Sequence, residues 1–253
     1  MMPYYKNELT TIYNGDCLEV MDYLIEQGIK FDAIITDPPY GTTACKWDNV
    51  IPFDKMWERL NKLRKEKAPV VLFGAEPFSS YLRISNIKEF KYDWVWDKVL
   101  AVGHLVVKHR PLAQHEIISV FGKGTINYYP LMIKRDNPRL ITKKKGSKTE
   151  QVNYIQKENY SKISYEKYPK TIITESNAVR HQHSTQKPLE LLSYLIKTYT
   201  KENDLILDFT SGSFTTCVAA EQLGRRSIGI ELEQKYCDIG IKRLNNLQVK
   251  FDI

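Results

Sequence analysis

Apolar positions in this chain alternate between short unbroken runs and stretches spaced by three and four residues. The runs at 31–36 (Phe-Asp-Ala-Ile-Ile-Thr), 70–73 (Val-Val-Leu-Phe) and 205–209 (Leu-Ile-Leu-Asp-Phe) predict buried strands. A strand covered on both faces has no side to give to polar residues. Shorter candidates lie at 11–13, 92–96, 116–121 and 227–230. Between them, Leu18, Met21, Leu24 and Ile25 predict a helix over 17–27, stopped by Gly28. Met56, Trp57, Leu60 and Leu63 share one helical face over 53–65, and Leu191, Leu192, Leu195 and Ile196 share another over 188–200. Helices over 214–223, before Gly224, and over 235–247 complete the series. No repeat unit is found. Strands alternating with helices predict an α/β fold with a doubly wound, mostly parallel sheet.

The pattern fades between 123 and 180, where tyrosines recur at 128, 129, 154, 160, 165 and 168. Residues 1–122 and 181–253 therefore read as one α/β domain and 123–180 as an insertion. Charge sharpens this division. The chain carries a formal +7, and the inserted segment alone holds 13 Lys and Arg against 5 Asp and Glu. The remainder is close to balance. A local cationic excess is the footprint of phosphate contacts. Lys143, Lys144, Lys145 and Lys148 form its densest run and are the candidate nucleic-acid contacts; a solvated loop is the other reading.

Composition narrows the class further. With 42% hydrophobic residues among 253, the chain can bury a sizeable core. No stretch approaches the roughly 20 apolar residues of a membrane span. The opening residues lack the apolar core of a signal peptide, so a cytoplasmic protein is expected. Cys17, Cys45, Cys217 and Cys237 form no Cys-x-x-Cys pair and have no His at zinc spacing. Four free thiols and no metal site are expected.

Two constellations carry candidate chemistry. The first is Asp208-Phe209-Thr210-Ser211-Gly212-Ser213-Phe214-Thr215-Thr216, between a strand and a helix. Ligands of doubly wound sheets bind at the carboxyl ends of strands. Small residues let the backbone approach a ligand, and a helix N-terminus favours a carboxylate. Glu231 ends the next strand and suits both hydroxyls of a ribose. A plain strand–turn–helix junction is the competing reading. A nicotinamide site fits less well, because Phe214 replaces the second glycine of Gly-x-Gly-x-x-Gly. Asp16, after Asn14-Gly15, reads either as an acceptor for an adenine amino group or as a helix N-cap.

The second is Asp37-Pro38-Pro39-Tyr40 at the end of the 31–36 strand. Two prolines stiffen the loop and have no N–H, so their carbonyls can face outward as acceptors. The Asp37 carboxylate and the Pro38 carbonyl together suit the two N–H bonds of an aromatic amine, with Tyr40 as a stacking face. Such acceptors stabilise positive charge developing on the nitrogen as it attacks an electrophile. A structural proline turn is the alternative.

The order of these pieces resembles the amino-methylating DNA methyltransferases of the β arrangement. Asn14-Gly15-Asp16, Asp37–Tyr40, the strand at 116–121, a variable insertion, His183-Ser184-Thr185-Gln186-Lys187-Pro188, the 208–216 loop and Glu231 follow in the permuted sequence of that class. The resemblance implies a Rossmann-like fold with a seven-stranded sheet. It implies S-adenosylmethionine as cofactor and double-stranded DNA as substrate, with the target base flipped out of the stack. Asp37, Pro38, Pro39 and Tyr40 would hold and activate the target amine. Asp16, Cys17, Lys187, Asp208, Phe209, Thr210, Gly212, Ser213, Thr215 and Glu231 would bind the cofactor, with Lys187 near its carboxylate. The 123–180 insertion would recognise the target, and a homodimer accords with the family. Aspartate at the first motif position leans towards adenine N6. Cytosine N4, an RNA adenine, and a non-catalytic binding module on a degenerate fold are the alternatives.

The cofactor loop departs from the family's Asp-Pro-Phe-x-Gly-Ser-Gly-Thr-Thr. Phe209 stands for the proline, Thr210 for the phenylalanine and Phe214 for the second glycine. Phe209 or Phe214 would then rebuild an apolar wall, or Phe214 would crowd the site. Lys46, Trp47 and Glu76-Pro77-Phe78 are further candidates near the target pocket.

Overall fold

The computed structural model describes residues 1–43, 48–104, 107–146, 148–149, 154–155, 157–176 and 186–251. Lys46 and Trp47, and His183, Ser184 and Thr185, lie outside them. Contacts divide the chain into two compact units. One comprises Met1–Tyr129 with Thr171–Ile253, and the other is Pro130–Lys170.

The first unit is built on a nine-stranded sheet. Its strands are β1 (Tyr5–Lys6), β2 (Thr10–Asn14), β3 (Ala33–Thr36), β4 (Val70–Gly74), β5 (Phe90–Val102), β6 (Ala113–Phe121), β11 (Ile172–Thr174), β12 (Leu205–Asp208) and β13 (Arg226–Glu231). Their spatial order is β1-β2-β13-β12-β3-β4-β6-β5-β11. The pairs from β2 to β4 are parallel, and β6 is antiparallel to both β4 and β5. Seven of these strands make the expected sheet. The short β1 and β11 extend it at its two edges, which the sequence pattern did not predict.

Among the described residues, six helices flank the sheet: α1 (Cys17–Glu26), α2 (Phe53–Leu63), α3 (Phe78–Ser85), α4 (Leu189–Tyr199), α5 (Thr215–Gln222) and α6 (Gln234–Phe251). The period of two along each strand sorts its residues between two cores. Ile34, Val70, Leu72 and Leu207 pack with Leu24, Leu60 and Leu63 of α1 and α2. Ile35, Val71, Phe73 and Ile206 pack on the other face with Leu191, Leu195, Ile196 and Ala219 of α4 and α5. Each fully buried aliphatic side chain contributes about 1.5–3 kcal/mol. This two-sided demand explains why the strands read as unbroken apolar runs.

The carboxyl ends of β3, β12 and β13 lie side by side, because these strands are parallel and β12 sits between the other two. The loops that follow them therefore emerge at one edge. No helix among the described residues is long and apolar enough to cross a membrane.

The second unit contains β7 (Ile133–Lys143) paired antiparallel with β10 (Tyr160–Lys167), and a small pair of β8 (Lys148–Thr149) with β9 (Tyr154–Ile155). Sequence pattern gave no sign of this sheet, because neither face is buried. Most of its residues are exposed, including Leu140, Ile163 and Tyr165. Arg139, Ile141 and Lys143 face Ser164, Lys162 and Tyr160 across the pair. Alternation along a strand puts those six residues on one side.

Candidate active site

Asp37, Pro38, Pro39 and Tyr40 leave the end of β3 as a closed turn. The Tyr40 hydroxyl donates to Asp37 Oδ1 at 2.5 Å. Its ring stacks on Phe78, the first residue of α3, with centroids 5.0 Å apart and planes 27° from parallel. Asp48 then secures the chain beyond the turn. Its carboxylate accepts from the Gly41, Thr42 and Thr43 amides at 2.8, 2.9 and 2.7 Å. Burial opposes that charge, but a bond from the Thr43 side chain together with these amides holds the Asp48 carboxyl below its ordinary range. Glu76 faces elsewhere, accepting from Ser80 and Arg83 of α3.

Lys187 enters the same site from the segment before α4. Its Nζ lies 2.5 Å from Asp37 Oδ2 and 3.3 Å from Glu116 Oε2 on β6. Lys98 of β5 holds the other oxygen, Glu116 Oε1, at 3.1 Å. The Lys187 ammonium also sits 5.2 Å from the Phe73 ring centroid and 5.9 Å from those of Tyr40 and Trp96. The result is a chain of alternating charges, Lys98–Glu116–Lys187–Asp37, walled by aromatic rings.

Electrostatics follow from this enclosure. Burial raises the Asp37 pKa above the ordinary carboxylate value, against the pull of Lys187. The Asp37 side chain nonetheless keeps 28% of its surface open. Burial also opposes the charges of Lys187 and Glu116. For both, the partner charges win, so the Lys187 pKa is raised and that of Glu116 is lowered. Burial, helped by Asp37, pushes the Tyr40 phenol well above its ordinary value, so it stays a donor.

The loop after β12 is tied directly to this turn. Thr36 Oγ1 donates to Asp208 Oδ1, and lies 2.8 Å from Thr210 Oγ1. Thr210 Oγ1 in turn donates to the Asp37 carbonyl at 3.1 Å. Asp208 is 4% exposed, and burial raises its pKa to about 6. The Gly212 amide donates to Glu231 Oε2 at 2.8 Å, and the Glu233 amide to Oε1 at 2.8 Å. Burial raises the Glu231 pKa as well. Gly212 has a φ of +51°, and a Cβ built there would meet no heavy atom within 4 Å, so the space beside it is open.

Phe214 takes the left-handed conformation, φ 60° and ψ 33°, that a glycine would adopt without strain. Its ring is fully buried with Ile12, Cys217, Cys237 and Leu244. Two glycines make its slot. A Cβ on Gly229 of β13 would lie 2.6 Å from the ring, and one on Gly240 of α6 would lie 2.3 Å from it. The ring thus turns into the core and neither walls nor crowds the loop surface. Phe209 is also fully buried, with its ring in the core against the α1–α2 side of the sheet. Arg243 of α6 holds the loop from behind, donating to the Ser213 carbonyl at 2.5 Å and to Thr215 Oγ1 at 2.9 Å.

Asp16 caps α1, accepting from the Leu18 and Glu19 amides at 2.8 and 3.2 Å. Both bonds use Oδ1, and Oδ2 has no partner among the described residues. The cap and acceptor readings are therefore compatible. Cys17 begins α1, and burial pushes its thiol up to about 12. Asn14 Nδ2 ties this end of β2 to the Glu231 and Leu232 carbonyls, both at 2.9 Å. Cys17, Cys217 and Cys237 are free thiols, and no group of metal-holding side chains occurs among the described residues.

Asp37, Tyr40, Lys187, Asp208, Thr210, Gly212 and Glu231 thus share one strand edge. Lys143, Lys144 and Lys145 belong to the second unit. The side chain of Lys148 is not described. Sequence reasoning missed Glu116, Lys98, Asp48 and Arg243. Lys98 had a signal, since it continues the every-second-residue face of Trp94 and Trp96.

Residues 31–242 match the model of a DNA methylase family covering N6 and N4 amino methyltransferases. The type II methyltransferase M1.MboII of Moraxella bovis is 25% identical, the match covering 96% of this chain and 99% of that protein. The DNA adenine methyltransferase YhdJ of Escherichia coli is 28% identical, over 94% of this chain and 84% of its own. Among solved structures, the crystal structure of the M1.HpyAVI–SAM complex superposes with a TM-score of 0.65 at 26% identity, covering 93% of this chain and 100% of that one.

Proposed function

The chain belongs to the N6/N4 DNA methylase family, and from that premise we propose that it methylates the N6 amine of a flipped-out adenine in double-stranded DNA. The observation that carries this reading is the coupling of the Asp37 turn to the Asp208 loop through Thr36 and Thr210. An amine acceptor and a ligand-binding loop are thereby held at one edge, as a transfer between two substrates requires.

The loop suits S-adenosylmethionine. Asp208 is a buried carboxylate with no cation partner among the described residues, and a cationic ligand would restore its charge. Glu231 ends the adjacent strand beside the open space at Gly212, which supports a role in accepting from ribose hydroxyls. When bound, the cofactor supplies an electrophilic methyl group. The protein does the rest. Asp37 and the Pro38 carbonyl accept from the two N–H bonds of the target amine, which enriches the nitrogen and stabilises its growing positive charge. Tyr40, held by Phe78, offers its ring to the base plane.

Adenine is favoured by aspartate at the first motif position and by the likeness to an adenine methyltransferase. The basic, tyrosine-bearing face of β7 and β10 is assigned to DNA contact, and the Pro130–Lys170 unit to target recognition. Incubation of unmethylated duplex DNA with methyl-labelled cofactor, followed by digestion to nucleosides, tests the reading. Label in N6-methyldeoxyadenosine supports it. Label only in N4-methyldeoxycytidine would reassign the base, and no label in DNA would remove the activity.

A further inference from the structure

The proposed function gives the Asp37 carboxylate to the target amine, yet both of its oxygens are already engaged. Oδ1 accepts from Tyr40 and Oδ2 from Lys187. An incoming amine competes with both donors for the same two oxygens. Tyr40 is the harder to move, because its ring is stacked on Phe78. Lys187 carries its charge on a flexible four-carbon stem. Its side chain is only 12% exposed, so a displaced ammonium needs a new partner inside the protein.

One acceptor is ready for it. Glu116 Oε2 is buried and accepts no hydrogen bond among the described residues, whereas Oε1 is taken by Lys98. Buried carboxylate oxygens are ordinarily satisfied, and one that is not calls for an explanation. The Lys187 ammonium already stands 3.3 Å away as an ion pair, without a well-directed hydrogen bond to that oxygen. The rings of Phe73, Tyr40 and Trp96 surround it and favour a cation throughout a short shift.

We infer that Glu116 is a positioning residue that receives the Lys187 ammonium when the target amine takes Asp37. In the free protein Lys187 neutralises Asp37. With the base bound, it moves onto Glu116 Oε2, and the Lys98–Glu116–Lys187 chain keeps its charges paired. Asp37 is then open to the substrate. This inference rests on the proposed function.

The test uses the full chain and a duplex carrying the site mapped by methylation-sensitive sequencing. Binding is compared with the same duplex made abasic at the target. Glu116→Gln keeps the shape and removes the charge. It should weaken binding of the base-bearing duplex about tenfold and leave the abasic duplex within about twofold, since only the base displaces Lys187. Equal weakening of both, or no change in either, would overturn the inference. If the wild-type protein methylates no DNA, the proposed function itself fails, which is a separate result. Should Glu116→Gln not fold, a structure of the wild-type complex decides. An ammonium hydrogen-bonded to Glu116 supports the exchange, and one still on Asp37 refutes it.

Discussion

Lys187 Nζ lies 2.5 Å from Asp37 Oδ2, although 150 positions separate the two residues in the chain. The pair joins the turn after β3 to the segment entering α4. It also places the cation of the Thr-Gln-Lys-Pro stretch against the residue proposed to hold the target amine.

The pair limits a shift in Asp37 that burial causes. Burial raises the Asp37 pKa and Lys187 opposes that rise. Lys187→Met removes the opposition, so Asp37 ionises only at higher pH. Because the ionised form is the one that accepts from the amine, the acidic limb of the kcat/KM profile, which reports the free protein, should move to higher pH. An unmoved limb, measured in single-turnover reactions across pH, would separate Asp37 from the rate.

Asp208 predicts two opposite pH effects. Its folded-state pKa of about 6 lies above the ordinary 3.8. The folded protein keeps a proton that the unfolded chain gives up, so this group's contribution to stability is full below the ordinary value. It falls as pH rises to about 6 and is level beyond. The loss is about 3 kcal/mol at one pKa unit per 1.36 kcal/mol. Cofactor affinity should rise over the same window, as the ionised carboxylate attracts a cationic ligand. Denaturant melts and cofactor titrations at pH 4–7 check both, and Asp208→Asn should flatten each curve.

Phe214, Gly229 and Gly240 form one packing unit. Phe214→Ala should cost about 3–5 kcal/mol, the usual loss for a buried ring. Alanine for glycine within a helix ordinarily stabilises by about 1 kcal/mol. Gly240→Ala should instead destabilise by about 1–3 kcal/mol, because its Cβ meets the ring. The double variant should lose less than the sum of the two. Additive losses in urea unfolding would mean that the residues do not share a slot.

Lys143, Lys144 and Lys145 close β7 and the turn beyond it, and all three are exposed. Replacing them with glutamine should weaken DNA binding and reduce the slope of log affinity against log salt by up to about 0.9 for each phosphate that is no longer neutralised. An unaltered slope would make the run a solvated loop.

Much of the sheet was legible because its strands are buried on both faces. The apolar runs at Ile34–Ile35, Val70–Phe73 and Leu205–Leu207 state that demand openly. The helix predicted over 17–27 forms as Cys17–Glu26, with its stop at Gly28. Less was legible where partners are distant in sequence. The short α3 follows Glu76-Pro77 and carries Ser79, Ser80 and Tyr81, which blur its apolar face. The β7–β10 pair is exposed on both sides and leaves no alternation to read. Lys187 was noted from its motif, but its two carboxylate partners come from β3 and β6, and no local pattern names them. Phe214 stood out as a departure, and only the three-dimensional neighbours Gly229 and Gly240 show why it is tolerated.

Asp37→Asn tests the central claim most directly, because it keeps the side chain's shape and removes an acceptor's charge. Methyl transfer to duplex DNA and cofactor affinity are measured on the same preparation. Transfer should fall by about 100- to 1,000-fold, the usual loss for one group stabilising transition-state charge, with cofactor affinity unchanged. Transfer at the wild-type rate would contradict the assignment of Asp37 to the target amine.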